Sequence, residues 1–105
     1  MKRDIEGLLS QSMRRTNATI EIYKGVYHEE EVKQAAYSFA FKKETKLLRF
    51  LIEKSHKIED GDGFYANYLN IVLGNFLVIK NIYEGTIEPY EIANFYSNAR
   101  QYGYF

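Results

Sequence analysis

The sequence predicts an all-α fold, an antiparallel four-helix bundle in a single domain of residues 1–105. Apolar residues recur at spacings of three and four along four long stretches, as on one face of a helix. One proline and seven glycines leave long uninterrupted elements, and neither an internal repeat nor a linker divides the chain. Short connections between four helices favour antiparallel neighbours.

The first predicted helix covers residues 3–27. Its apolar stripe consists of Ile5, Leu9, Met13, Thr16, Ile20, Tyr23 and Tyr27. Residues 18–23 are rich in types that favour β structure, so a strand is the alternative there. The sequence leaves open which of the two residues 18–27 adopt.

The second predicted helix covers residues 29–55 and begins with three glutamates, which suit the positive end of a helix dipole. Its expected inner stripe is Val32, Ala36, Phe39, Leu47, Phe50 and Leu51, and Tyr37, Phe41, Leu48 and Ile52 form a second stripe. Together the stripes exceed the arc needed to face one core, so this helix either lies between several others or exposes apolar residues to a partner. Lys43 falls within the inner stripe, either buried with a perturbed pKa or with its ammonium reaching solvent.

The third predicted helix, residues 64–84, is the most apolar and is expected at the centre of the fold. Its stripe is Tyr65, Leu69, Val72, Phe76, Ile79 and Tyr83. Gly85 suits the end of this helix, and Pro89 suits the first turn of a fourth helix over residues 89–102. Asparagines interrupt the third helix too often for a membrane span.

Composition narrows the range of functions that the protein could have. Without cysteine there is no thiolate metal site or cysteine nucleophile, and 14 basic residues balance 14 acidic ones. The first residues lack a signal-peptide pattern, so we expect a soluble cytoplasmic protein. Glu59, Asp60 and Asp62 form an acidic loop, but an EF-hand starting at Asp60 would need glutamate where Ile71 stands. We therefore expect no metal or cofactor.

Arg49 and His56 are separated by six residues. This spacing resembles the Arg-x4-6-His motif of HEPN ribonucleases, which are also small helical domains. The resemblance covers eight residues and implies, as one alternative, a ribonuclease with Arg49 and His56 as its catalytic pair. Phe50 departs from the polar residues that usually follow the arginine in that family.

A second alternative is a helical nucleic-acid-binding protein that uses Arg14, Arg15, Lys42 and Lys46. Such a site would combine cations with stacking aromatic residues. Glu21, residues 29–31 and Glu44 lie near these cations in the sequence and are expected to dilute them.

Ten tyrosines and seven phenylalanines exceed what one small core accommodates easily. Since aromatic residues are enriched at interfaces, the sequence favours a non-enzymatic protein-binding module, an inhibitor, adaptor or immunity-type protein, that binds another protein or a second copy of itself as a homodimer. The expected binding residues are Tyr37, Phe41, Leu48, Ile52, Tyr96, Tyr104 and Phe105. In size, helix count and aromatic end, the chain resembles the bacteriocin immunity proteins of Gram-positive bacteria.

Overall fold

The computed structural model describes residues 2–25, 28–57 and 63–104, and within these ranges the chain forms four helices and no strand. The helices are α1 (Lys2–Lys24), α2 (Glu30–Ser55), α3 (Phe64–Glu84) and α4 (Pro89–Gln101). The predicted all-α fold is confirmed. The alternative strand at residues 18–23 is wrong, because those residues lie inside α1.

Glycine and proline set most of the helix ends. Helix α1 ends at Lys24 rather than at residue 27, and the N–H of Gly25 donates to the carbonyls of Glu21 and Ile22 at 3.0 and 3.2 Å. Tyr27 lies outside the described residues. Gly85 closes α3 with a φ of 77°, a left-handed conformation that glycine adopts without strain. Pro89 occupies the first turn of α4.

Side-chain contacts show that α2 and α3 are antiparallel. The Tyr65 hydroxyl, near the start of α3, donates to the Leu51 carbonyl near the end of α2 at 2.6 Å. At the other end, the rings of Phe41 and Tyr83 are 5.4 Å apart.

The direction of α1 and α4 follows from contacts with their neighbours. The Tyr68 hydroxyl lies 3.4 Å from Glu6, and Asn75 reaches Ser12, so α1 and α3 run in the same direction. The Tyr96 hydroxyl donates to Glu21 at 2.8 Å. Helix α4 therefore returns from the far end of α3, and the helices alternate in direction as predicted.

The core draws on all four helices. Helices α1, α2 and α3 contact one another, and α4 packs mainly on α3. The first five residues of the predicted α1 stripe are buried, whereas Tyr23 is 40% exposed. The buried apolar residues are Ile5, Leu9, Met13, Ile20, Tyr37, Ala40, Leu47, Leu51, Tyr65, Val72, Val78, Ile79, Ile82, Phe95 and Ala99.

The buried face of α2 differs from the one that the sequence predicts. Its buried residues are Tyr37, Ala40, Glu44, Leu47 and Leu51. Val32, Phe39 and Phe50, which the sequence assigned to the inner stripe, are exposed. At 100° per residue, these three lie about 100–120° around the helix from the centre of the buried stripe. The prediction failed because a glutamate occupies the middle of the true inner stripe, where a sequence pattern favours an apolar residue.

Candidate binding surface on α2

Three of the four large apolar residues exposed on α2 lie along one side of it. Val32, Phe39 and Phe50 are 53%, 62% and 43% exposed. Phe39 and Phe50 are eleven residues apart, about three turns, and therefore lie in nearly the same direction from the helix axis. Together with Lys43 and Lys54, these residues form what we call the outer face of α2.

Each exposed phenylalanine is covered by a lysine from the next turn. The Lys43 ammonium lies 5.5 Å from the centre of the Phe39 ring, and the Lys54 ammonium lies 5.5 Å from that of Phe50. Both pairs have the i, i+4 spacing that makes helix side chains neighbours, and the geometry is that of a cation–π contact. Lys43 is thus exposed. Of the two alternatives that the sequence left open, the one with its ammonium in solvent is correct.

The outer face is more basic than the sequence suggests. Residues 42–57 contain six lysines or arginines and two glutamates, Glu44 and Glu53. Glu44 is fully buried, so Glu53 is the one exposed carboxylate of this stretch. The expected dilution of the Lys42 and Lys46 charges by Glu44 is therefore wrong.

Glu44 is held inside by a polar network that joins three helices. Its carboxylate accepts hydrogen bonds from the Ser12 hydroxyl and the Arg15 guanidinium of α1. The Asn75 amide of α3 donates to the Ser12 oxygen at 2.9 Å. Burial raises the pKa of the Glu44 carboxyl above its ordinary value, while Ser12 and Arg15 act in the opposite direction. The network compensates for enclosing a carboxylate away from water.

A groove between α1 and α2 adjoins the outer face. It has a volume of about 280 Å³ and is lined by Asp4, Ile5, Leu8, Phe50 and Lys54. Its apolar residues come from both helices, and one acidic and one basic side chain also line it. A partner's apolar side chain therefore has a place beside Phe50.

The predicted binding residues of α2 are distributed between the core and different sides of the helix. Tyr37 is 3% exposed and belongs to the core, so it does not contribute to the surface. Phe41 is half-buried against the ring of Phe76, 5.6 Å away, and Leu48 packs partly buried against the core. Ile52 is 43% exposed but points away from the outer face, about 160° around the helix from Phe50.

The predicted aromatic residues at the C-terminal end lie against other helices. Tyr96 is half-buried, with its hydroxyl on Glu21 and the Lys24 ammonium 5.4 Å from its ring. Burial and then the Glu21 contact raise the pKa of Tyr96 to about 12. Tyr104 packs partly buried against the core, and Phe105 lies outside the described residues. The six predicted residues that the structure describes do not form one patch.

The residues of the two alternative functions are also separated. Arg49 and His56 are both exposed, about 10 Å apart along the α2 axis, and neither lines the groove beside Phe50. Among the basic residues, Arg14 is exposed, whereas Arg15 is engaged by Glu44. The ribonuclease pair stays a prediction, and the basic contribution of α1 is smaller than expected.

Phe39, Phe50 and Lys54 are the surface residues that sequence reasoning did not assign to binding. A signal for them was present: Phe-x3-Lys occurs twice, at Phe39–Lys43 and Phe50–Lys54, in the same register on the helix. Two such pairs three turns apart indicate a solvated face, because a lysine next to each phenylalanine keeps that side of the helix in contact with water.

Across the part of the chain that the structure describes, no group of three or more histidine, aspartate or glutamate side chains is arranged to hold a metal ion. Residues 59, 60 and 62 of the acidic loop lie outside this part. None of the described helices combines the length and apolar character that crossing a bilayer requires. Comparison with family models, with curated proteins and with solved structures gives no match for this chain.

Proposed function

We propose that this protein is a non-enzymatic binding module whose outer α2 face docks an acidic protein partner. The observation that carries the proposal is the pairing of two exposed phenylalanines with lysines on a face from which Glu44 has been withdrawn into the core. Aromatic residues supply much of the affinity at protein interfaces. The surrounding cations favour a partner with carboxylates.

Charge argues for a different protein rather than a second copy on this face. In a twofold-symmetric dimer, the same patch from each subunit meets itself. Lys43 and Lys54 would then face the lysines of the other subunit, and like charges across an interface are unfavourable. A homodimer through the outer face is therefore a less favourable arrangement than a heteromeric complex.

The groove beside Phe50 supplies a concave apolar surface next to these charges. Ile5, Leu8 and Phe50 offer an apolar surface, and Lys54 stands next to it. The partner that fits combines an apolar anchor side chain with neighbouring aspartates or glutamates. Such anchors surrounded by a charged rim are typical of protein interfaces.

A photo-crosslinking amino acid at position 39 tests the proposal in the cells that express the protein. We expect it to capture an acidic protein, because the outer face would then be covered by the partner. The same amino acid at position 90 is the control, since Tyr90 is 64% exposed but lies on α4. It should capture no such protein.

The captured protein is then purified, and its affinity is measured. The Phe39→Ser/Phe50→Ser variant should weaken binding by at least about tenfold, and Tyr90→Ser should leave it unchanged. Raising the salt concentration should weaken binding, mainly through slower association. Crosslinks at position 39 only to this protein itself, or to no protein, would contradict the proposal.

The second candidate is nucleic acid, which the same observation favours because cations alternate with exposed aromatic rings. Fluorescence anisotropy with a single-stranded 20-nucleotide oligonucleotide distinguishes it from protein binding. Binding that weakens steeply with salt and is lost in Phe39→Ser/Phe50→Ser would favour nucleic acid as the partner. Absence of binding at low salt would eliminate it.

A further inference from the structure

A second concave surface lies between α3 and α4, away from the outer face of α2. The groove has a volume of about 220 Å³. Its apolar part includes Ile71, Leu77 and Tyr102, and its polar part is rich in asparagine. The asparagines are Asn70, Asn75, Asn94 and Asn98.

Gly74 is the first feature of this groove that leaves room for a ligand. It lies in the middle of α3, where glycine weakens a helix relative to alanine. A methyl group placed on it would meet no other atom within 4 Å, and its φ is not in the left-handed region. Nothing within the fold therefore requires glycine at this position. Glycine leaves the backbone of α3 accessible to a molecule in the groove.

Asn75 is the second feature. It lines the groove and is only 4% exposed. Its amide nitrogen donates to the Ser12 oxygen at 2.9 Å and lies 3.2 Å from the Met13 sulfur. Its amide oxygen accepts no hydrogen bond from the residues that the structure describes, and it is not sealed from solvent. It is therefore an available acceptor next to Gly74.

The charge of the groove favours a neutral occupant. Glu91 is its one ionisable carboxylate, and both carboxylate oxygens are already engaged. One accepts from the Asn81 amide and the other from the Glu88 backbone N–H, each at 2.7 Å. What remains for a ligand is a set of uncharged carboxamides, each of which can both donate and accept. Peptide groups have the same donor and acceptor character.

The spacing of these carboxamides matches an extended peptide. Asn94 and Asn98 are separated by a helical rise of about 6 Å, close to the roughly 6.6 Å between alternate residues of an extended chain. From Asn70 to Val78, the groove runs for about 12 Å along α3, the length of three to four extended residues.

We propose that the α3–α4 groove binds a short, uncharged, extended peptide segment. Asn94 and Asn98 hydrogen-bond alternate peptide groups of the segment, the Asn75 oxygen accepts one peptide N–H, and an apolar side chain of the segment lies over Gly74 against Leu77 and Tyr102. This site does not depend on the function proposed for α2.

Selection from a phage-displayed library of random heptapeptides tests the site. The wild-type protein and the Gly74→Phe variant are used in parallel, because a phenylalanine at this position fills the groove. We expect peptides enriched on the wild type to bind Gly74→Phe at least about tenfold more weakly. Gly7→Phe is the matched control, since Gly7 is also a helical glycine with nothing within 4 Å, and it should bind like the wild type.

Two further measurements separate backbone recognition from simple apolar binding. Asn94→Ala/Asn98→Ala changes only exposed residues and should reduce affinity by about tenfold. Copies of the selected peptides with N-methylated amides should also bind about tenfold more weakly, because their N–H donors are gone. Circular dichroism verifies that each variant is folded. If no peptide is enriched on the wild type relative to Gly74→Phe, or if the N-methylated copies bind equally well, the proposal is wrong.

Discussion

On the inner face of α2 a glutamate is enclosed among three helices, whereas on its outer face two phenylalanines lie in solvent beneath lysine side chains. Glu44 is fully buried, and Phe39 is 62% exposed. The usual distribution would place the phenylalanine inside and the carboxylate outside. The chain as a whole carries no net charge. The comparison shows that the local charge of its surface depends on which charged side chains the fold buries.

The largest expected effect distinguishes two adjacent residues of α2, one in its buried stripe and one on its outer face. Leu51 is 2% exposed and Phe50 is 43% exposed. Leu51→Ala should lower the free energy of unfolding by about 2–5 kcal/mol because it leaves a cavity. Phe50→Ala should lower it by less than about 1 kcal/mol. Urea denaturation followed by circular dichroism measures both, and comparable losses would show that the two faces are misassigned.

The second prediction compares the two glutamates of the basic stretch. Glu44→Ala should reduce the free energy of unfolding by about 3 kcal/mol, because it leaves Ser12 and Arg15 without their partner. This is the lower end of the expected range, since Arg15 keeps some access to water.

Glu53→Ala is the matched control on the exposed side of the same helix and should change stability by less than about 0.5 kcal/mol. Equal effects of the two substitutions in urea denaturation would contradict the buried position of Glu44.

These two comparisons also show what the sequence could predict. The number, order and approximate bounds of the helices followed from local spacing, glycine and proline. The orientation of α2 did not, because its apolar residues occur around most of the helix and several stripes fit the pattern. Burial of Glu44 depends on Ser12 and Arg15, which are 32 and 29 residues away in the chain. Such a distant compensation leaves no local signal.

The sequence predicted the type of the candidate surface but not the residues that form it. An excess of aromatic residues indicated an exposed apolar strip on α2, and the structure has one. Its members differ from those predicted, because Tyr37 is in the core while Phe39 and Phe50 are outside it. The Phe-x3-Lys pairs carried this information, but their meaning depends on the orientation of the helix.

The smallest expected effect is the pH dependence of the contribution that Glu44 makes to stability. Because burial raises the pKa of this carboxyl above the ordinary value of 4.5, the folded protein holds its proton to higher pH than the unfolded chain does. The contribution to stability is present at low pH and is lost as pH rises through the raised pKa.

The difference in unfolding free energy between wild type and Glu44→Gln isolates this contribution, since glutamine does not titrate. The stability of the wild type relative to the variant should fall as the pH is raised from about 4 towards 7. A relative stability that instead rises with pH would mean that Arg15 and Ser12 outweigh burial.

The exposure of Phe39 and Phe50 to solvent is what the proposed binding surface requires, and NMR relaxation with a soluble paramagnetic agent measures it directly. In the free protein, the ring protons of both phenylalanines should relax strongly, while the methyl groups of Leu47 and Leu51 should be protected. Protection of the two phenylalanine rings to the same degree as these leucines would show that the outer face is already covered, and would contradict the account.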